Sequence, residues 1–168
     1  MSLSKRLLSL SFRGLFVLVA PLLVACTLTP VYSENSAAKA NLQLAYAQPV
    51  NRLEQIVYQD LAFRLGGSDS ETAVLASVSV VSSIRAVAAS TTVNPNKPYD
   101  VTLTGTLTLT VRDGSNAEPI TLIRRATASY TQNGQVGADA SAEIGATEQA
   151  AHALAESLRL AVLATMSR

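Results

Sequence analysis

Residues 99–114 read YDVTLTGTLTLTVRDG, and apolar side chains alternate with threonines through most of this stretch. A strict period of two over this length predicts a β-strand across 99–112 with one buried face and one polar face. Gly105 replaces an apolar residue on the buried face. A glycine at such a position predicts that the backbone of a helix comes close to the strand there.

The segment that follows predicts a neighbouring strand. Asp113-Gly114 begins a turn, and residues 119–131 (PITLIRRATASYT) return as the second arm of a long hairpin.

Two further strands are predicted upstream. Residues 41–47 (NLQLAYA) alternate as a short, half-buried strand, and residues 75–84 alternate as a longer one. A loop is expected at 90–100, where Pro95 and Pro98 should prevent sheet pairing.

Two helices complete the pattern. Asn51 and Glu54 resemble a capping box, and Gly66-Gly67 end the helix that they begin. Its apolar stripe comprises Leu53, Ile56, Val57, Leu61 and Leu65. After a loop at 132–145, residues 146–166 predict a second helix. Its narrow apolar stripe comprises Ile144, Ala151, Leu154, Leu158, Val162 and Thr165.

The element order predicts the fold class. Residues 41–168 are expected to form a single α+β domain in which two helices pack on one face of a four-stranded mixed sheet (β-α-β-β-β-α). A right-handed crossover through the first helix makes the first two strands parallel. The stripe of the first helix is expected to pack on the apolar face between Val101 and Val111.

The amino-terminal region has the composition of a secretory signal. Residues 1–14 contain three basic residues and no acidic residue, and residues 15–25 (LFVLVAPLLVA) are apolar. A membrane-spanning helix would need roughly 20 apolar residues. The run is shorter and contains Pro21, so a signal peptide over 1–25 is favoured.

The only cysteine of the chain follows this leader. Leu23-Val24-Ala25-Cys26 resembles a bacterial lipobox, which implies cleavage after Ala25 and acylation of Cys26. Several acyl chains satisfy the requirement for stable anchoring, which one chain alone does not. Residues 26–40 are then a lipidated tether, and Thr27 in place of aspartate favours the outer membrane.

Composition argues against several functional classes. The sequence has 13 basic and 12 acidic residues, but without residues 1–25 it has ten basic residues and a net charge of −2, which does not suit nucleic-acid binding. His152 is the only histidine, and no cluster has the spacing of metal ligands or of a catalytic triad. We therefore expect a protein that is not an enzyme and has no cofactor or metal.

Four basic residues are candidates for a ligand site: Arg85, Lys97, Arg124 and Arg125. They could be solvated residues at strand ends, or they could form a patch for an anionic ligand, because guanidinium binds phosphate in a bidentate manner. As neighbours in a strand, Arg124 and Arg125 should point to opposite faces.

Three segments together carry a family resemblance. The lipobox, the sequence TPVY at 29–32 and the segment NRLEQIVYQDLAFRL at 51–65 resemble the alphaproteobacterial form of LptE, the lipopolysaccharide-assembly lipoprotein family. The resemblance implies two helices on a four-stranded sheet. It also implies a lipoprotein anchored at Cys26 on the periplasmic side of the outer membrane, which plugs the β-barrel translocon LptD, assists its assembly and binds lipopolysaccharide.

Two other functions are compatible with the same sequence. An auxiliary lipoprotein of an ABC-type lipid transporter would also be small, α/β and lipid-anchored. A purely structural envelope lipoprotein would have no ligand at all.

The lipobox generates the first prediction. Cys26→Ala removes the sulfur that would be acylated, so the variant should retain its leader and lack the lipid. Mass spectrometry of the intact protein measures both changes. A wild-type chain with an intact Met1 leader and an unmodified thiol would contradict the assignment.

Overall fold

A computed structural model describes residue 42, residues 44–87 and residues 96–166. The proposed signal peptide, Cys26 and tether lie outside the described residues. The elements are β1 (Leu44–Tyr46), α1 (Arg52–Leu65), β2 (Val74–Ala86), β3 (Lys97–Thr110), β4 (Ile120–Gln132) and α2 (Val136–Met166).

The four strands form one mixed sheet in the order β1-β2-β3-β4. β1 lies parallel to β2, whereas β2–β3 and β3–β4 are antiparallel. The predicted α+β class and its order β-α-β-β-β-α are confirmed.

β3 supplies the centre of the core. Val101, Leu103, Leu107 and Leu109 are buried, and the threonines between them are half-buried on the other face. Burying a leucine or valine fully contributes roughly 1.5–3 kcal/mol. Period-two alternation therefore determines which face of the sheet the helices cover.

β3 begins earlier than predicted, because Pro98 lies within it. The Pro98 carbonyl accepts a hydrogen bond from the Val87 N–H at 3.0 Å, and Pro98 is in register with Thr131. The prediction that Pro98 prevents pairing was wrong. Proline removes a donor but keeps its acceptor, and this rung is at the end of the β2–β3 ladder, where one missing donor costs little.

The amino terminus of α1 forms the predicted cap. The Glu54 N–H donates to Asn51 Oδ1 at 2.9 Å, and the Glu54 carboxylate accepts from the Val50 N–H at 2.8 Å. The carboxylate thus reaches the residue before the cap rather than the cap itself. At the other end Gly66 has φ +80°, a left-handed conformation that favours glycine.

α2 begins ten residues earlier than predicted, at Val136 instead of Ala146. The carboxylate of Asp139 in its first turn accepts the N–H groups of Asn133 and Gly134 at 2.9 and 3.0 Å. These bonds stabilise the helix start, so residues 136–145 are helical although Ile144 is exposed.

The helices divide the sheet between them. α1 packs against β1, β2 and α2, whereas α2 covers β3 and β4. The expectation that the α1 stripe packs on the apolar face of β3 was therefore wrong. α1 connects β1 to β2, so it lies over those two strands, and the next helix along the sheet takes the face of β3.

Gly105 is in close contact with α2. A Cβ atom added there would lie 2.8 Å from Leu154 Cδ2 and 3.1 Å from Cδ1. The expected close approach is real, but it is made by a leucine side chain and not by helix backbone. Leu154 is fully buried, so it has little room to move.

This contact generates the second prediction. Gly105→Val should destabilise the domain by about 1–3 kcal/mol through overpacking, and Leu154→Ala by about 2–5 kcal/mol through a cavity. Because the two changes offset each other in volume, the double variant should cost clearly less than their sum. Urea unfolding measures all three.

Thr104→Val is the matched control. Its side chain lies on the opposite face, so its free energy of unfolding should change by less than about 0.5 kcal/mol. If the losses in free energy of unfolding caused by Gly105→Val and Leu154→Ala simply added in the double variant, that result would contradict the contact.

Candidate functional site

The sheet face opposite the helices carries mostly hydroxyl groups. Its three long strands contribute Ser77, Ser79, Ser83, Thr102, Thr104, Thr106, Thr108, Thr110, Thr121, Thr127, Ser129 and Thr131. The hydroxyls of Thr102 and Thr127 lie 3.0 Å apart across β3–β4. The large hydrophobic side chains exposed on this face are Val81, at 66%, and Ile123, at 57%. We call this surface the hydroxyl face.

Two of the four candidate cations lie on the hydroxyl face. Arg125 is opposite Thr104, and Arg85 is opposite Asp100. Asp100 Oδ1 also accepts a hydrogen bond from Ser129 Oγ at 2.6 Å. The two arginines are four rungs and two strand spacings apart, roughly 16 Å.

The other two cations are on the helix side of the sheet. Arg124 is opposite Gly105, and Lys97 is opposite Gln132. Both side chains are exposed, since β4 is an edge strand and Lys97 begins β3. Arg124 and Arg125 point to opposite faces as expected. The four cations do not form one patch, and their role in ligand binding stays a prediction.

A tyrosine pair lies between Lys97 and the core. The rings of Tyr99 and Tyr130 stack with centroids 5.6 Å apart, and the Tyr130 hydroxyl donates to Glu143 Oε2 at 3.2 Å. Burial, together with the neighbouring Glu143 carboxylate, raises the pKa of Tyr130. This hydroxyl therefore stays protonated at neutral pH and ties α2 to the sheet.

A second tyrosine pair lies beneath α1. Tyr46 and Tyr58 meet edge to face at 6.0 Å, and the Tyr46 hydroxyl donates to the Gly66 carbonyl at 2.9 Å. The Tyr58 hydroxyl accepts the Val78 N–H at 2.7 Å. Burial raises the pKa of Tyr46 to about 12. No sequence pattern pointed to these bonds, because they join residues 20 positions apart.

Charged residues connect the two helices along their exposed side. Asp60 Oδ2 and His152 Nδ1 are 2.7 Å apart, and the other pairs are Arg52 with Glu148 and Arg64 with Glu156. Hydrogen bonding to Arg159 lowers the pKa of Glu156. Exposed pairs of this kind contribute little individually. The single histidine thus contacts the other helix in a structural position.

The described part of the chain has neither a metal-type cluster nor a helix of membrane-spanning character. Within it, no group of three or more His, Cys, Asp or Glu side chains is arranged to hold a metal ion. Among its helices, none is both long and apolar enough to cross a bilayer.

Comparison with known proteins gives a fold relationship. No protein-family model matches the sequence, and no curated protein matches it.

Solved structures do match. A protein from Caulobacter crescentus assigned as a lipoprotein has a TM-score of 0.55 at 16% identity, over 77% of this chain and 96% of that one. A minor lipoprotein from Acinetobacter baumannii has a TM-score of 0.54 at 17% identity, over 76% and 96%. Rare lipoprotein B from Shewanella oneidensis has a TM-score of 0.51 at 12% identity, over 74% and 95%. The chain therefore has a fold that lipoproteins of three bacteria also have.

Proposed function

We propose that the protein is an outer-membrane lipoprotein of lipopolysaccharide assembly, of the LptE type. In this role it is anchored at Cys26, faces the periplasm and plugs the β-barrel LptD. It assists assembly of the barrel and binds lipopolysaccharide on its way to the outer leaflet.

One combination of observations carries the proposal. The sequence has a basic, apolar leader that ends at a lipobox cysteine. The domain behind that leader has the fold of three solved lipoproteins, each covered over at least 95% of its length. Leader and fold are independent of each other, and both point to a lipid-anchored envelope protein.

The hydroxyl face supports the more specific role of a plug. β3 spans 14 residues, roughly 45 Å at 3.3 Å per residue, and its threonines give the sheet a long polar surface. The lumen of a large outer-membrane barrel is also polar. A domain that presents mostly hydroxyl groups to such a lumen can make many hydrogen bonds there while burying few charges.

Purification from the native envelope tests the partner. A carboxy-terminally tagged chain, extracted in mild detergent, should bring down one outer-membrane β-barrel in a one-to-one complex. The stoichiometry is measured by native mass spectrometry. The same chain with Cys26→Ala is the control for the contribution of the anchor to complex formation.

Other recoveries would contradict the proposal. Co-purification of an inner-membrane permease would favour the auxiliary lipoprotein of a lipid transporter. Recovery of the lipoprotein alone, under conditions that keep barrels folded, would favour a structural role.

The placement of the cations generates the fourth prediction. If lipid A phosphates bind on the hydroxyl face, Arg85→Asp with Arg125→Asp should weaken lipopolysaccharide binding at least tenfold, because two exposed cations on one face become anions. Binding of purified lipopolysaccharide to the detergent-solubilised protein measures the change.

The helix-side pair provides a matched control with the same change in charge. Lys97→Asp with Arg124→Asp should weaken binding much less. An equal loss in both double variants would mean that net charge alone governs binding. Unchanged binding in both would remove all four cations from the site.

A further inference from the structure

Among the described residues, β1 pairs with only part of the outer edge of β2. β1 pairs with Val74, Leu75 and Ala76 and then ends, whereas β2 continues to Ala86. Backbone groups in a strand point alternately to the two neighbours. The Ala76 carbonyl accepts from the Ala47 N–H on the β1 side, so the even-numbered residues of β2 direct their backbone groups outward.

β1 makes a row of hydrogen bonds to the outward backbone groups of β2, and a side chain makes the next bond in that row. The next outward donor after Ala76 is the Val78 N–H, and the Tyr58 hydroxyl accepts it at 2.7 Å. Tyr58 thus occupies the place of a carbonyl on an added strand. Beyond it, four residues direct their N–H and carbonyl groups outward: Val80, Ser82, Ile84 and Ala86. No described residue pairs with these groups through the sheet.

The other edge of the sheet differs. On β4 the odd-numbered residues point outward, and the Arg124 guanidinium donates to the outward Ile123 carbonyl at 2.8 Å. Arg124 and Arg125 place two charges in the middle of this strand. Charges on an edge strand are a common means of preventing pairing with another chain. β2 has no charged residue before Arg85.

Side chains around the open part of β2 are suited to contact. Ile84 is 42% exposed on the helix side, and Val81 is exposed on the hydroxyl face. A strand placed next to β2 would cover part of both. Its own side chains would meet an apolar surface on the helix side and hydroxyl groups on the other.

We propose that the edge of β2 from Val80 to Ala86 binds an extended segment of another polypeptide by strand addition. An extended backbone presents donors and acceptors at the spacing of these outward groups, so it can pair with several of them at once. β1 already pairs with the same edge in this way, and the added segment would continue its row. The inference concerns this edge alone and does not depend on which protein supplies the segment.

A model peptide tests the proposal directly. The probe is acetyl-KVTVTVTVK-amide, whose valines can face Ile84 while its threonines face the hydroxyl side. It is added to the ¹⁵N-labelled full-length protein in detergent. Amide exchange at Val80, Ser82, Ile84 and Ala86 should slow about tenfold when free peptide is ten times its Kd. Exchange of the outward Thr127 amide on β4 should not change.

Two variants and a matched control separate edge binding from other effects. Ser82→Pro removes one outward donor and leaves the bonds to β3 intact. Ile84→Lys adds a charge at an exposed position without altering the backbone. Both should abolish the slowing at Val80 and Ala86. Thr127→Pro, at an outward position of β4, should retain it.

Three results would overturn the proposal. The first is unchanged exchange at millimolar peptide in the folded wild-type protein. The second is equal slowing on β2 and β4. The third is slowing at the β2 amides that grows with protein concentration in the absence of peptide, which would assign the edge to a second copy of the chain.

Discussion

The packing of α2 on the apolar face of β3 is the contact on which the rest of the structure depends. Leu154 lies directly over Gly105, and alanines on either side let the helix lie close to the strand. Because β3 has neighbours on both sides, this one contact fixes which face of all three long strands is buried. α1 is then confined to β1 and β2, beside α2, and charged pairs between the helices remain at the surface.

The same division of the sheet creates the surfaces that are free to act. With both helices on one side, the threonines of β3 and the serines of β2 form a polar face with few charges. This arrangement also places Arg85 and Arg125 on one face and Lys97 and Arg124 on the other, so a ligand bound to one face would not reach all four cations.

The two edges of the sheet differ in how their outward backbone groups are paired. On β4 the Arg124 side chain donates to a backbone carbonyl that points outward. On β2 the Tyr58 hydroxyl accepts the outward Val78 N–H, and beyond it no described residue pairs with the outward backbone groups. Lipoproteins of three bacteria share the fold at 12–17% identity. At such low identity the conserved element is the packing arrangement of helices and strands, and sites for partners follow from the side chains of each chain.

The sequence by itself determined the elements and the buried face of β3, because period-two alternation and helix caps are local signals. It also predicted that Arg124 and Arg125 diverge, since neighbours in a strand must. It missed the inclusion of Pro98 in β3 and the first ten residues of α2, which depend on a ladder partner and on the Asp139 carboxylate. Only the tertiary structure decided that α2 covers β3, that Tyr58 caps β2 and that the four cations are split. Each of these depends on strand order and register, which join residues far apart in the chain and leave no local pattern in it.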